Sequence, residues 1–179
     1  MLKIFTTQLI GRLKKIEDSA EFSLEDAARL LAQALVGEGH IYLYGDKEMK
    51  GVYHEASQGQ EPLAKLKELT PESVHELHPA DRVIVFTRYA NDEEALKIGH
   101  ALAEKDIPFV AVSSHALQPN PAADKDLSTI ADVFIPLHVE KGLVPTETGG
   151  RTGYPHLICA LYVYHNIKLL IDEILEESE

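Results

Sequence analysis

Four short runs decide most of what this chain can become. Ile41-Tyr42-Leu43-Tyr44 ends at Gly45, and the pattern returns in Val83-Ile84-Val85-Phe86-Thr87, Phe109-Val110-Ala111-Val112-Ser113 and Asp132-Val133-Phe134-Ile135-Pro136-Leu137. Each is apolar almost without interruption. A strand with one wet face would alternate, so these runs point to a parallel sheet covered on both sides. Helical periodicity fills the gaps. Between the second and third runs, Asn91 is placed as a helix cap and Glu94 stands at the capping-box position. Ala95, Leu96, Leu102 and Ala103 supply that helix's apolar side.

The remaining elements follow from the same periodicities. Leu2, Phe5, Leu9, Leu13 and Ile16 share one helical face. Ser23, with Asp26 three residues on, reads as the start of a second helix along Leu24, Ala27, Leu31, Ala34 and Leu35, stopped by Gly37 and Gly39. A helix is expected from Glu48 to Ser57, and Thr70-Pro71-Glu72-Ser73 opens a short one with proline in its first turn. The segment 63–69 is left open between strand and loop. Pro155 begins a long final helix, with Leu157, Leu161, Tyr164, Ile171 and Leu175 in one line and Ala160, Val163, Ile167, Leu170 and Ile174 beside it. Its first half is apolar nearly all round, as in a buried helix or a subunit contact. Strands alternating with helices imply right-handed crossovers. The expectation is a doubly wound, three-layer α/β sandwich with two leading helices.

A chain of 179 residues suits one domain over residues 1–179, and 45% apolar with 26% charged residues is an ordinary globular balance. The formal charge of −12 repels duplex DNA and anionic bilayers, so neither nucleic acid nor membrane is expected as a partner. The single cysteine, Cys159, excludes an intrachain disulfide and reads as a buried, inert thiol in an apolar run. No apolar stretch reaches the roughly 18 residues of a membrane span. The start, Met1 to Thr6, lacks a signal-peptide pattern, so a cytoplasmic protein is expected.

Ligands of such sheets bind beyond the carboxyl ends of the strands, where the winding direction reverses. The loop Gly45-Asp46-Lys47-Glu48-Met49-Lys50-Gly51 has no hydroxyl with which to cradle phosphate, and its lysines read as solvated. In Thr87-Arg88-Tyr89-Ala90-Asn91-Asp92, Thr87 and Asn91 offer neutral hydrogen bonds and Arg88 a forked cation ahead of a helix. Capping by Asn91 and ligand binding are compatible readings there. Asp92 favours the helix start and disfavours a phosphate. Ser113 and Ser114 serve either a turn or a ligand.

The stretch Val144 to Pro155 holds three glycines, three threonines, Glu147 and Arg151 directly before a helix. It is either a ligand loop using Thr148 and Arg151 or a flexible connector, and it lacks the ending of a nucleotide P-loop. His75 with His78, and His54 with Glu55, are incomplete as metal motifs, so neither metal nor cofactor is expected.

The order of elements then becomes specific. A helical lead-in, the segment Gly39 to Gly45, Asp81 to Thr87, Ile107 to Ser114 and Leu127 to Pro136 together resemble the sugar isomerase (SIS) domain over residues 20–175. Within it the chain is most similar to phosphoheptose isomerases and their non-catalytic relatives. The resemblance implies a five-stranded parallel sheet of flavodoxin-like order, a homodimer or homotetramer, and phosphosugar recognition near the ends of the first and third strands. Met49 falls where the family has a serine. Thr87 keeps a hydroxyl and Asn91 matches an asparagine of the heptose branch. Tyr89, Ala90 and Asp92 replace serine, glycine and a hydroxyl residue.

Three functions are in play. The first is a module that binds a phosphorylated or acidic sugar derivative through Thr87, Arg88, Asn91, Ser113, Ser114, Thr148 and Arg151. The second is an aldose–ketose phosphosugar isomerase, which needs a base and an acid within reach of the substrate. Glu55 or Glu147 would be its base, and His54 or His156 its acid, with His165 a further imidazole on the last helix. The third is a regulatory or scaffold oligomer.

Overall fold

The computed structural model describes residues 1–119 and 125–178. Its elements run α1 (Leu2–Val36), β1 (Ile41–Gly45), a 3-10 turn (Lys47–Met49), α2 (Lys50–Gln58), β2 (Leu66–Glu68), a second 3-10 turn (Pro71–Glu76), β3 (Arg82–Tyr89) and α3 (Glu93–Glu104). They continue with β4 (Phe109–Ser114), α4 (Leu127–Ile130), β5 (Val133–Pro136), β6 (Val144–Pro145), β7 (Arg151–Thr152) and α5 (His156–Glu177). The first five strands form one sheet in the order β2-β1-β3-β4-β5, every pair parallel. This is the expected flavodoxin-like order, and the open segment 63–69 supplies the edge strand β2.

The apolar runs are explained by two cores. Ile41 and Leu43, Ile84 and Phe86, and Val110 and Val112 face one side, where Leu24, Leu31, Val52, Ala160, Val163 and Ile167 from α1, α2 and α5 cover them. Tyr42 and Tyr44, Val83 and Val85, and Phe109 and Ala111 face the other, against Val74, Ala95, Ile98, Leu102 and Leu127. Side chains alternate across a strand, so a strand buried on both faces must be apolar throughout.

The start of the chain differs from expectation. One helix of 35 residues stands where two were anticipated. Ile16, Ala20, Leu24, Ala27, Ala28 and Leu31 are buried in unbroken phase through the supposed junction, so packing holds the chain helical past Ser23. The small helix-propensity cost of Ser23 and Asp26 in a helix interior is outweighed by the burial of that stripe. The pairs Lys14–Asp18 and Glu25–Arg29 span one turn each along this helix.

The start of α3 differs too. The residue before its first turn is Asp92, not Asn91, and its carboxylate caps no helix amide. Asn91 is exposed. By contrast, Thr70 and Ser73 close a reciprocal capping box on the turn Pro71–Glu76. No described helix is long and apolar enough to cross a membrane.

The turn out of β1 shapes the ground on which a ligand would sit. A Cβ placed on Gly45 would stand 2.5 Å from the Met49 carbonyl oxygen, and Lys47 follows in the left-handed region at φ 51°. Backbone cannot yield to a methyl group as a flexible side chain can. Gly45→Ala is therefore expected to lower stability by about 1–3 kcal/mol. An unchanged urea midpoint would refute that reading of the turn.

Candidate functional site

The carboxyl ends of β1 and β3 are neighbours, with Gly45 opposite Phe86. Beyond them lies a cleft of about 430 Å³, lined by Glu48, Arg88, Tyr89, Tyr154 and His156. That volume suits a small-molecule ligand. Glu48 comes from the turn after β1, Arg88 and Tyr89 from the end of β3, Tyr154 from the approach to α5 and His156 from its first turn.

Arg88 is gripped at two points. Its Nε donates to Glu48 Oε1 at 2.7 Å and a terminal nitrogen donates to Oε2 at 2.8 Å. The hydrogen bond from Arg88 holds the Glu48 carboxyl below its usual range. The arrangement is the parallel fork that guanidinium and carboxylate prefer. His156 is 4% exposed, and its Nδ1 has no hydrogen-bond partner. The Tyr89 ring meets it edge-on at 5.3 Å and the Tyr154 ring stacks over it at 6.1 Å. Burial is the main force that holds this imidazole below its ordinary 6.5; Glu48 pulls the other way.

Behind the Arg88–Tyr89 corner runs a chain of polar contacts. Thr87, fully buried, has its Oγ1 at 2.6 Å from Asp92 Oδ2 and at 3.5 Å from Asp46 Oδ2. One hydroxyl has one proton, and the short contact to Asp92 is the donated bond. Asp92 Oδ2 also accepts from the Tyr89 amide at 2.9 Å. The Tyr44 hydroxyl lies 3.4 Å from Asp46, and burial, with that carboxylate second, pushes it up to about 12.

Of the residues singled out in the sequence, the fold brings Arg88 and His156 together in the cleft, with Thr87 just behind. The others sit elsewhere. Ser113 and Ser114 are fully buried: Ser113 donates to the Ser114 carbonyl, and Ser114 Oγ accepts from the Val139 amide. Arg151 donates to the carbonyls of Gly142 and Leu143 at 2.6 and 3.0 Å, bracing its own hairpin. The stretch 144–152 is thus an ordered β6–β7 hairpin. Thr148 pairs with Thr146 near its tip, and Glu147 is exposed beside them. On α2, His54 is exposed against Tyr53, while Glu55 approaches His165 at 3.8 Å across α5. Neither lines the cleft. Met49, at the serine position of the resemblance, is buried in the core. Cys159 is also buried, and its thiol is pushed up to about 12 by desolvation. Among the described residues, no group of three or more His, Cys, Asp or Glu is set to hold a metal.

Residues 1–175 match the family described as "Domain of unknown function (DUF2529)". The chain belongs to the DUF2529 family. It is 42% identical to "Uncharacterized protein YwjG" of Bacillus subtilis (strain 168), across 99% of both chains. Among solved structures, the DUF2529 chain is similar to a putative phosphosugar isomerase involved in capsule formation from Bacteroides fragilis, with TM-score 0.66, 14% identity, and 96% and 90% of the two chains covered. It is similar to phosphoheptose isomerase GmhA from Neisseria gonorrhoeae at TM-score 0.65, 16% identity, and 94% and 95% coverage. The sugar isomerase domain of an RpiR transcription factor from Sphaerobacter thermophilus follows at 0.61, 17%, and 98% and 89%. The DUF2529 chain therefore has the SIS fold.

The cleft imidazole makes the stability of this DUF2529 protein depend on pH in a stated direction. Unfolded, the ring takes a proton near its ordinary 6.5; folded, it does so only at lower pH. In that window the unfolded chain binds more protons, so stability falls as the medium is acidified from about 6.5. His138 is shifted the same way. His156→Gln should therefore remove part of the loss in urea midpoint between about pH 7.5 and about pH 5.5. An undiminished loss would contradict the burial of a neutral ring.

Proposed function

We propose that this protein binds a small sugar derivative in the cleft between Glu48, Arg88, Tyr89, Tyr154 and His156. The observation that carries the reading is the convergence of two tyrosines, an imidazole and a fixed carboxylate–guanidinium pair at the sheet's point of reversal. Aromatic rings cover the apolar face of a pyranose, while carboxylate and guanidinium reach its hydroxyls. The sequence points to a phosphorylated or acidic ligand; Arg88 is the group in the cleft that would meet an acid, and it would have to be released from Glu48. Proteins of this fold are named both as isomerases and as a transcription factor, which is in keeping with binding as the shared capacity.

Isothermal titration with a panel of free, amino, acidic and phosphorylated sugars tests the proposal. A binder should appear, and Tyr154→Ala and Tyr89→Ala should each weaken it about tenfold, the scale of one aromatic contact. Absence of any binder in the panel would sink it.

One observation favours isomerisation as a second reading. The Glu48 carboxylate and the His156 imidazole line the same cleft. They are residue types that can serve as base and acid on an enediol path once Glu48 is released from the Arg88 fork that lowers its basicity. Exchange of a substrate C–H proton with deuterated solvent, lost in Glu48→Gln, would establish turnover. Equal exchange in both proteins would dismiss Glu48 as the base.

A further inference from the structure

The carboxyl end of β3, just ahead of the loop to α3, holds donors of the kind that seat an oxyanion: the Thr87 hydroxyl, the Tyr89 amide and the Arg88 guanidinium. The chain itself already engages all three. A single oxygen of Asp92 accepts from Thr87 Oγ1 at 2.6 Å and from the Tyr89 amide at 2.9 Å. Both oxygens of Glu48 occupy the fork of Arg88. An anionic oxygen bridging a hydroxyl and a main-chain amide ahead of a helix is the bonding that a phosphate oxygen makes in such loops. We propose that Asp92 is the internal occupant of this anion seat, and that the cleft beside it takes a sugar without a phosphate group. The ligand class rests on the sugar-binding reading above; the filled seat does not.

The charges around the cleft agree. Asp46, Glu48 and Asp92 bring three carboxylates to this corner against the one guanidinium of Arg88. His156, buried and neutral, adds no cation, and the exposed Lys47 and Lys50 do not line the cleft. A phosphate dianion would meet like charge at close range. The carboxylate oxygens instead offer lone pairs to ligand groups that donate, namely hydroxyl or ammonium. The tyrosine rings offer faces to a pyranose or to a cation. Asp92 therefore acts as a specificity-determining residue without needing to touch the ligand.

Titration of inorganic phosphate into wild type, Asp92→Asn and Asp92→Ser tests the seat. Asparagine keeps the shape and leaves the seat filled, whereas serine empties it and adds a donor. Phosphate should bind Asp92→Ser at least about tenfold more tightly than the other two proteins. Equal binding to all three, or no gain in an Asp92→Ser protein with native far-UV dichroism and a cooperative melt, would overturn the proposal. Wild type alone supplies a second arm that no folding defect can obscure. Glucose and glucosamine should each bind more tightly than their 6-phosphates, and tighter binding of the phosphates would overturn the assigned class. Should none of the four sugars bind, the sugar-binding reading and the ligand class fall together, and the phosphate titration still decides whether Asp92 fills the seat.

Discussion

The site depends on how two adjacent parallel strands part company. After β1 the chain crosses to α2, whose Val52 and Ala56 join the core beneath α1 and α5. After β3 it crosses to α3, whose Ala95, Ile98 and Leu102 join the opposite core. The two crossovers leave the sheet on opposite faces, so the loops after β1 and β3 diverge and a crevice opens between them. No residue in the crevice has to create it. Burial of both faces of the sheet does so, and the approach to α5 and its first turn close the remaining side with Tyr154 and His156.

Within that crevice the Arg88–Glu48 pair is a fixed, mutually compensated unit set beside an excess of carboxylate. Arg88 and Glu48 are each about a third or more exposed at the side chain, so their pairing adds at most about 1 kcal/mol to stability. Its larger effect is orientation. A guanidinium held at two points presents its remaining nitrogen in one direction, and the carboxylate presents its free lone pairs in another. Ligand hydroxyls would meet acceptors and donors already in place, which lowers the entropy lost on binding.

Much of this architecture is legible in the sequence, for a physical reason. The four apolar runs correspond to β1, β3, β4 and β5; in the inner strands burial on both faces leaves no room for polar alternation, and the edge strand β5 stays apolar while only half-buried. β2 carries no clear pattern because Leu66, Lys67 and Glu68 lie at an edge and are largely exposed, so burial imposes none on them. Ser23 looked like a cap because local chemistry allows it, and only the packing of α1 on α5 decides otherwise. Of the site, Arg88 and His156 stood out as charged or titratable groups at strand and helix ends. The hydroxyls of Ser113 and Ser114 did not differ in sequence from ligand contacts; only the fold shows that they bond inward. Glu48 read as the beginning of a helix, and Tyr89 as an interruption of a serine loop. Tyr154 carried no signal beyond its place before Pro155. What brings these three together is tertiary proximity between segments about 40 and 65 residues apart, which no local pattern encodes.

The length of α1 has a consequence for the cleft. At 35 residues it spans about 52 Å, which sets its first turns far from Val36. There the Phe5 ring lies against Gly153, close enough that a Cβ at that glycine would stand 3.2 Å from it. Gly153 is the immediate neighbour of Tyr154, the ring stacked on His156. The first turns of α1 thus abut the segment that carries the aromatic wall of the cleft, so Gly153 has room for no side chain without moving the Phe5 ring.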